Sequence, residues 1–220
     1  MPSKGIDFNL YLITDRKLFS TIYDLMGAVE EALSAGVKAV QLRERDLATR
    51  ELLELAYGFR ELTSHFNAKL FINDRLDVAL SVNADGVHLG QSGIPVNAVR
   101  RVVKNKMLIG CSTHSFNEAA EAEKGGADFI TFGPLFMTPS KLQYGSPVGL
   151  QPLRDFRKRI KVPIFGIGGI KSENIDEALD AGASGIAVIS GISCAEDKAA
   201  AVREYLERIS AKVGDKYDKD

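Results

Sequence analysis

The chain has 220 residues, with 28 Lys and Arg against 29 Asp and Glu, for a formal net charge of −1. This balance argues against nucleic acid or an anionic membrane as a partner, and no apolar run approaches the roughly 18–20 residues of a bilayer span. The start, MPSKGIDF, lacks the apolar stretch of a secretory signal, so a cytoplasmic protein is expected. We expect one domain over residues 8–212 and a charged tail over 213–220.

Eight short apolar runs alternate with helical stretches along the chain. They are LYLIT before Asp15, AVQL before Arg43, LFI before Asn73, GVHL before Gly90, LIGC before Ser112, FITF before Gly133, PIFGI before Gly168 and GIAVI before Ser190. Nearly continuous apolar runs are typical of parallel strands that are covered on both faces. Eight strand–helix units in this length predict the α/β class and a single (β/α)8 TIM barrel, whose catalytic loops follow the strand C-termini.

The helices between these runs are amphipathic. The segment from Glu51 to Phe66 places Leu and Phe residues on one stripe, and the last helix is predicted over residues 198–209. Cys111 lies in an apolar strand pattern and is predicted to be a core residue. The connection from Leu135 to Gly149 has neither a helix nor a strand period, and its apolar content favours a loop that covers a substrate.

The residues at the ends of the seventh and eighth apolar runs indicate a phosphate site. Gly168 and Gly169 end the seventh run, and Ile189, Ser190 and Gly191 end the eighth. In barrels of this type, backbone N–H groups of these two loops often hold a phosphate. A tight turn without a ligand is the alternative.

A second anion site is predicted on the other side of the barrel. Arg43 and Arg45 follow the second strand on the same side of the chain, and Lys141 lies on the long loop. Three cations around one opening suit a polyphosphate. The alternative is an ion-pair network of the two arginines with Glu44 and Asp46.

Asn73 and Asp74 end the third strand. An aspartate at this place can hold Mg²⁺ together with substrate phosphates and water. The alternatives are a helix cap near Leu76 or an ion pair with Arg75.

The three histidines give a weaker signal. His88 is predicted to be a buried core residue and His65 to be exposed, whereas His114 could face the barrel opening. The sequence shows no Ser-His-Asp triad and no His/Cys metal cluster.

The motifs QLRER, FIND, GVHLGQ, GCSTHS, FGPLF-TPSK with PVGL, GIGGI and VISGI, in this order, resemble thiamine phosphate synthase. The resemblance runs from about Leu10 to the last helix. It implies a transferase that joins a pyrimidine methyl diphosphate to a thiazole phosphate and releases pyrophosphate, with Mg²⁺ as cofactor. The partners that the resemblance implies are phosphorylated small molecules. It leaves open whether the chain forms a homo-oligomer.

The resemblance also implies residue roles. Positions that match the pyrimidine diphosphate site are Gln41, Arg43, Arg45, Asn73, Ser112 and Lys141, with Arg43, Ser112 and Lys141 as the catalytic set. Asp74 matches a magnesium ligand. The thiazole phosphate site is matched by Thr138, Ser140, Gly169, Ile189 and Ser190.

Two positions depart from the family pattern, and a third separates this chain from a related enzyme. Gly93 stands where the family carries a second magnesium carboxylate, and Arg45 stands where Lys is usual. The related thiazole tautomerase carries a proton-transfer histidine where this chain has Pro134. Retention of Asn73-Asp74, Gln91 and TPSK favours the synthase over the tautomerase. A non-catalytic barrel that binds a thiamine precursor is a third hypothesis.

Overall fold

The computed structural model describes residues 5–138 and 146–217, with side chains described through residue 212. Ser140 and Lys141, both assigned to the site from the sequence, therefore lie outside the described residues. In the described part of the chain, no helix is long and apolar enough to cross a membrane.

Eight parallel strands close into a barrel in which each strand pairs with its neighbours in the sequence and β1 pairs with β8. The strands are β1 (Leu10–Ile13), β2 (Ala39–Leu42), β3 (Lys69–Asn73), β4 (Gly86–Leu89), β5 (Leu108–Thr113), β6 (Phe129–Phe132), β7 (Ile164–Ile167) and β8 (Gly185–Val188). All eight predicted strands are present in order, so the (β/α)8 barrel is confirmed.

Helices surround this barrel. They are α1 (Ile22–Ser34), α2 (Thr49–His65), α3 (Leu76–Ser81), α4 (Val96–Val103), α5 (Phe116–Gly125), α6 (Leu150–Arg157), α7 (Ile175–Asp180), α8 (Ser190–Ser193) and α9 (Lys198–Tyr217). Short 3₁₀ turns lie at Arg16–Leu18 and Ser172–Asn174. Helix α9 starts where predicted but continues past the predicted end at Ile209.

Local capping fixes where several helices begin. Thr21 and Asp24 form a reciprocal capping box at the start of α1. Ser115 caps α5 by accepting a hydrogen bond from the Glu118 amide, but the Glu118 carboxylate bonds the backbone of His114 instead of returning to Ser115. His114 is thereby held at the start of α5.

The barrel interior is filled by aromatic rings. Tyr11, Phe71, Phe129 and Phe165 are almost completely buried and meet edge to face, with Tyr11 5.3 Å from Phe71 and 5.4 Å from Phe129 between ring centroids. Phe8 packs on the same cluster. Such edge-to-face pairs add stability beyond the burial of area alone.

Strand glycines make room for these rings. A Cβ added at Gly110 would lie 2.5 Å from a ring carbon of Phe129 and would overlap His88, and one at Gly185 would lie 2.6 Å from Phe165. A Cβ at Gly86 would overlap Phe71. The three glycines therefore allow one layer of large side chains to close the barrel below its opening.

We predict that Gly110→Ala destabilises the protein by about 1–3 kcal/mol, because the added methyl overpacks a filled interior. The free energy of unfolding from denaturant titration measures this. Gly27→Ala is the matched control, since a Cβ at that position in α1 meets nothing within 4 Å. It should stabilise the helix by roughly 0.5–1 kcal/mol. Equal stabilities for the two variants would contradict the packing account.

Candidate active site

The strands are parallel, so all eight strand C-termini open at the same end of the barrel. Two of the cavities that the described residues form at this end contain predicted site residues. One, of about 260 Å³, is lined by residues that follow β2, β3 and β4. The other, of about 450 Å³, is lined by residues that follow β6, β7 and β8. Of the residues of the predicted polyphosphate site, Arg45 lines the first cavity, and the glycine and serine residues of the predicted phosphate site line the second.

The first cavity has a cationic side. Arg45 and Asp74 both line it, and a Cβ added at Gly90 would lie 3.7 Å from Arg45 Nη2 and 3.3 Å from Asp74 Oδ2. Arg43 is half-buried nearby. Its burial, and then the charge of Arg45, lowers the pKa of the Arg43 guanidinium from its ordinary value. Arg43 remains cationic at neutral pH, because the ordinary pKa of a guanidinium lies far above 7.

The carboxylates beside these arginines are engaged elsewhere. Glu44 accepts a 2.6 Å hydrogen bond from Thr14 Oγ1 and two 3.1 Å bonds from the Arg16 amide. Asp46 pairs with Arg16 at 2.9 Å and with Lys17 at 3.2 Å. Within the described residues, neither Arg43 nor Arg45 has a carboxylate within 4 Å. The ion-pair alternative for the two arginines is therefore wrong.

The buried position of Glu44 has its own electrostatic consequence. Desolvation raises the pKa of this carboxyl above its ordinary value, although the hydrogen bond from Thr14 opposes the shift. The hydrogen bonds that Glu44 accepts join the loop after β2 to the 3₁₀ turn that follows β1. Glu44 thus holds the loop that carries both arginines.

Asp74 is held in a fixed orientation. It adopts a left-handed backbone conformation with φ 57°. Its Oδ1 accepts a 2.6 Å bond from the Gly90 amide and its Oδ2 a 2.8 Å bond from Asn73 Nδ2. Arg75 instead pairs with Asp77, so neither the helix-cap role nor the pair with Arg75 is found for Asp74.

Gly93 lies directly opposite this carboxylate. A Cβ added there would lie 2.8 Å from Asp74 Oδ1, and the Gly93 backbone is outside the left-handed region. Among the described residues, no group of three or more His, Cys, Asp or Glu side chains is arranged around a metal position. The carboxylate of Asp74 can nevertheless hold one Mg²⁺ that brings its other ligands with a phosphate, because each oxygen keeps free lone pairs.

Beneath this opening, one layer of the barrel interior contains buried polar side chains. Gln41 and His88 are each 1% exposed. His88 is a buried core residue, as predicted, but it also contacts Ser112, with 3.1 Å between Nε2 and Oγ. Burial, and then the charge of Arg43, lowers the pKa of His88 to about 3, so the ring is neutral. Tyr11, which the sequence reading treated only as part of an apolar run, contacts both Gln41 and His88.

The second cavity is framed by glycine. Gly168 and Gly169 have φ values of 92° and 67°, in the region that favours glycine. A side chain at Gly169 would meet the carbonyl of Phe136 at 2.8 Å and overlap that of Met137. Asn174 Nδ2 also donates a 2.9 Å bond to the Gly169 carbonyl.

Four of the predicted thiazole phosphate residues line this cavity. They are Thr138, Gly169, Ile189 and Ser190. Lys171, which the sequence analysis did not single out, lines it as well. The sequence feature that could have identified Lys171 is its position two residues after the glycine pair. Pro134 packs against Gly168, where a Cβ would lie 2.5 Å from the proline ring.

Comparison with known proteins identifies the family of this chain. The family model for thiamine monophosphate synthase matches residues 10–192. The chain belongs to this family. A relative from Geobacter sulfurreducens is 50% identical over 210 residues, covering 96% of this chain and 98% of its own. The thiamine-phosphate synthase of Clostridium acetobutylicum is 40% identical over 212 residues, covering 95% and 100%.

A solved structure shows the same similarity. The thiamine phosphate pyrophosphorylase of Pyrococcus furiosus superposes with a TM-score of 0.85 at 39% identity, over 94% of this chain and 98% of its own. The family predicted from the motifs is thus confirmed.

We predict that Arg45→Gln weakens pyrophosphate binding about tenfold to a hundredfold, because a charge-assisted hydrogen bond is lost. Isothermal calorimetry with pyrophosphate and Mg²⁺ measures it. Arg50→Gln is the matched control, since Arg50 is an exposed cation on the adjacent helix α2 and does not line the cavity. Equal weakening by both variants would show a general charge effect and not a site at Arg45.

Proposed function

We propose that the protein transfers a pyrimidine methyl group from its diphosphate to a thiazole phosphate, giving thiamine phosphate and pyrophosphate. Membership of the thiamine monophosphate synthase family supports a transferase of this type. The observation that carries the proposal is the pair of separate cavities at one barrel opening, one lined by Arg45 and Asp74 and one framed by glycine. Two phosphorylated substrates need two such places.

The diphosphate is assigned to the arginine side. Arg43 and Arg45 would bind its oxygens, with Lys141 added from the sequence. Cations placed where negative charge develops on the leaving group are usually the largest contribution to a reaction of this kind. Arg43 is half-buried, which strengthens its interaction with an anion relative to an exposed cation.

Asp74 would hold Mg²⁺ on the same side. The ion would neutralise charge on the departing pyrophosphate. The Asn73 amide and the Gly90 backbone fix the orientation of the carboxylate through the two hydrogen bonds described above. Because Gly93 supplies no second carboxylate, the metal is expected to arrive with the diphosphate and not before it.

The thiazole phosphate is assigned to the glycine side. Gly169 and Ser190 would approach its phosphate group closely, and Thr138 lies at the same cavity. Anchoring one substrate by its phosphate and the other by its diphosphate places the thiazole nitrogen near the methylene carbon that it attacks. Such positioning can contribute roughly 7–11 kcal/mol to lowering the barrier. No side-chain nucleophile is needed in this scheme.

Purified protein supplied with both substrates and Mg²⁺ is expected to form thiamine phosphate, measured as thiochrome fluorescence. The same protein should not isomerise a thiazole carboxylate phosphate, followed by NMR, because Pro134 cannot shuttle a proton and general acid–base groups typically contribute about 10²–10⁴-fold. Rapid isomerisation without thiamine phosphate formation would assign the protein to the tautomerase reaction. Binding of both substrates without either reaction would indicate the non-catalytic barrel.

We predict that Gly93→Asp lowers the Mg²⁺ concentration needed for half-maximal turnover. The new Cβ would lie 2.8 Å from Asp74 Oδ1, so the Asp74 carboxylate must shift to admit it, and the added carboxylate would then supply a second anionic ligand. The backbone at position 93 does not require glycine, so the strain of a left-handed residue is absent. Gly93→Asn is the control, with the same shape and no charge. If a stably folded Gly93→Asp protein shows an unchanged dependence of turnover on Mg²⁺ concentration, the metal does not bind next to position 93.

A parallel prediction concerns the other cavity. Ser190→Ala should weaken binding of the thiazole phosphate about tenfold, through the loss of one hydrogen bond to a charged group, with little change for pyrophosphate. Ser193→Ala on the same short helix is the control, because Ser193 does not line the cavity. Calorimetry with each ligand separates the two sites. Equal losses for both ligands in Ser190→Ala would mean that the sites are assigned wrongly.

A further inference from the structure

A chain of buried polar side chains crosses the barrel interior. Gln41 Nε2 donates to Tyr11 Oη at 3.1 Å, Tyr11 Oη lies 3.4 Å from His88 Nδ1, and His88 Nε2 lies 3.1 Å from Ser112 Oγ. The four residues come from β2, β1, β4 and β5. Three of them are 0–1% exposed.

The chemistry of the groups gives this chain a direction. The Gln41 amide nitrogen can only donate, so the Tyr11 oxygen accepts from it. The single proton of Tyr11 is then directed at His88 Nδ1. A neutral imidazole that accepts at Nδ1 carries its proton on Nε2 and donates there to Ser112 Oγ.

The Ser112 hydroxyl can still donate one hydrogen bond. Its oxygen accepts from His88, and the described residues offer no acceptor for its hydroxyl hydrogen. The residue is half-buried near the C-terminal end of β5, whereas His88 lies below it. The hydroxyl hydrogen is therefore available to a ligand in the barrel opening.

The walls of the interior hold the chain in place. Phe71 and Phe129 lie against Tyr11, and Gly110 leaves the space that His88 occupies. In the described part of the protein, His88 has no polar side-chain partner other than Tyr11 and Ser112. The ring therefore has one acceptor side and one donor side.

We propose that Tyr11 and His88 are positioning residues that fix the Ser112 hydroxyl as a hydrogen-bond donor toward the anionic substrate. The identity of that anion, a diphosphate, rests on the proposed function. The direction of the hydrogen bonds does not, so it can be tested without substrate.

The direct test is nitrogen NMR of protein labelled at histidine, with the His88 signals assigned by comparison with His88→Gln. The proposal expects Nε2 of His88 to be protonated and Nδ1 to be unprotonated in the free protein. A protonated Nδ1 would overturn it, because Ser112 would then donate to His88 and present only lone pairs to an anion.

Tyr11→Phe tests the consequence for catalysis. It keeps the ring and its packing but removes the donor to Nδ1, so the fixed tautomer is lost. We expect the kcat for thiamine phosphate formation to fall about tenfold, the effect of one orienting hydrogen bond. The KM for the thiazole phosphate should not change, because that ligand lies in the other cavity.

Thr113→Val is the matched control. Thr113 follows Ser112 on β5 and is 1% exposed, and its hydroxyl donates a 3.0 Å bond to the Thr131 carbonyl outside the chain of four. It should lose similar thermal stability with no change in the His88 signals or in kcat. Equal kcat losses in the two variants would reduce the role of Tyr11 to stability. A wild-type protein that forms no thiamine phosphate would contradict the proposed function, while the NMR result would still decide the hydrogen-bond direction.

Discussion

The site depends on the alternation of side chains along eight strands that close on themselves. Only every second residue of a strand faces the barrel interior. Glycines at 86, 110 and 185 leave room for Phe71, Phe129 and Phe165, which fill the lower interior. His88 and Ser112, two positions beyond Gly86 and Gly110 on their strands, then stand above an apolar floor. Because that floor excludes water, each polar group there needs a partner.

A second constraint is the separation of charges around the opening. Arg16 and Lys17 bind the two acidic residues of the β2 loop, so Arg43 and Arg45 keep their charge for a ligand. Burial, and then repulsion from the neighbouring charge of Arg45, lowers the pKa of Arg43. An arriving anion relieves this repulsion. Glu44 and Asp46 are thus bonded to residues of the β1 loop, which leaves the two arginines for the proposed anion.

Much of the architecture could be predicted from the sequence. The apolar runs fixed the strand order, and the barrel rule placed the functional residues at one end. The side-chain directions in loops could not be predicted, since Glu44 and Asp46 bond Arg16 of the β1 loop and not the adjacent Arg43 and Arg45. Tyr11 was missed because its hydroxyl contacts come from β2 and β4, which are distant in sequence.

The roles of other residues also could not be recognised without knowing their neighbours in the folded structure. His88 was predicted to be a buried core residue, but its contact with Ser112 depends on the register between β4 and β5. The closeness of Gly93 to Asp74 likewise results from the fold of the β4 loop and not from the motif. Assignments to Ser140 and Lys141 stay predictions from the sequence.

The central claim is that one barrel opening holds two phosphorylated ligands in separate places. A crystal structure of the protein with thiamine phosphate, pyrophosphate and Mg²⁺ tests it most directly. The account predicts pyrophosphate against Arg43, Arg45 and Asp74, and the product's phosphate against Gly169 and Ser190. Pyrophosphate bound in the glycine-framed cavity, or both ligands competing for one cavity, would contradict it.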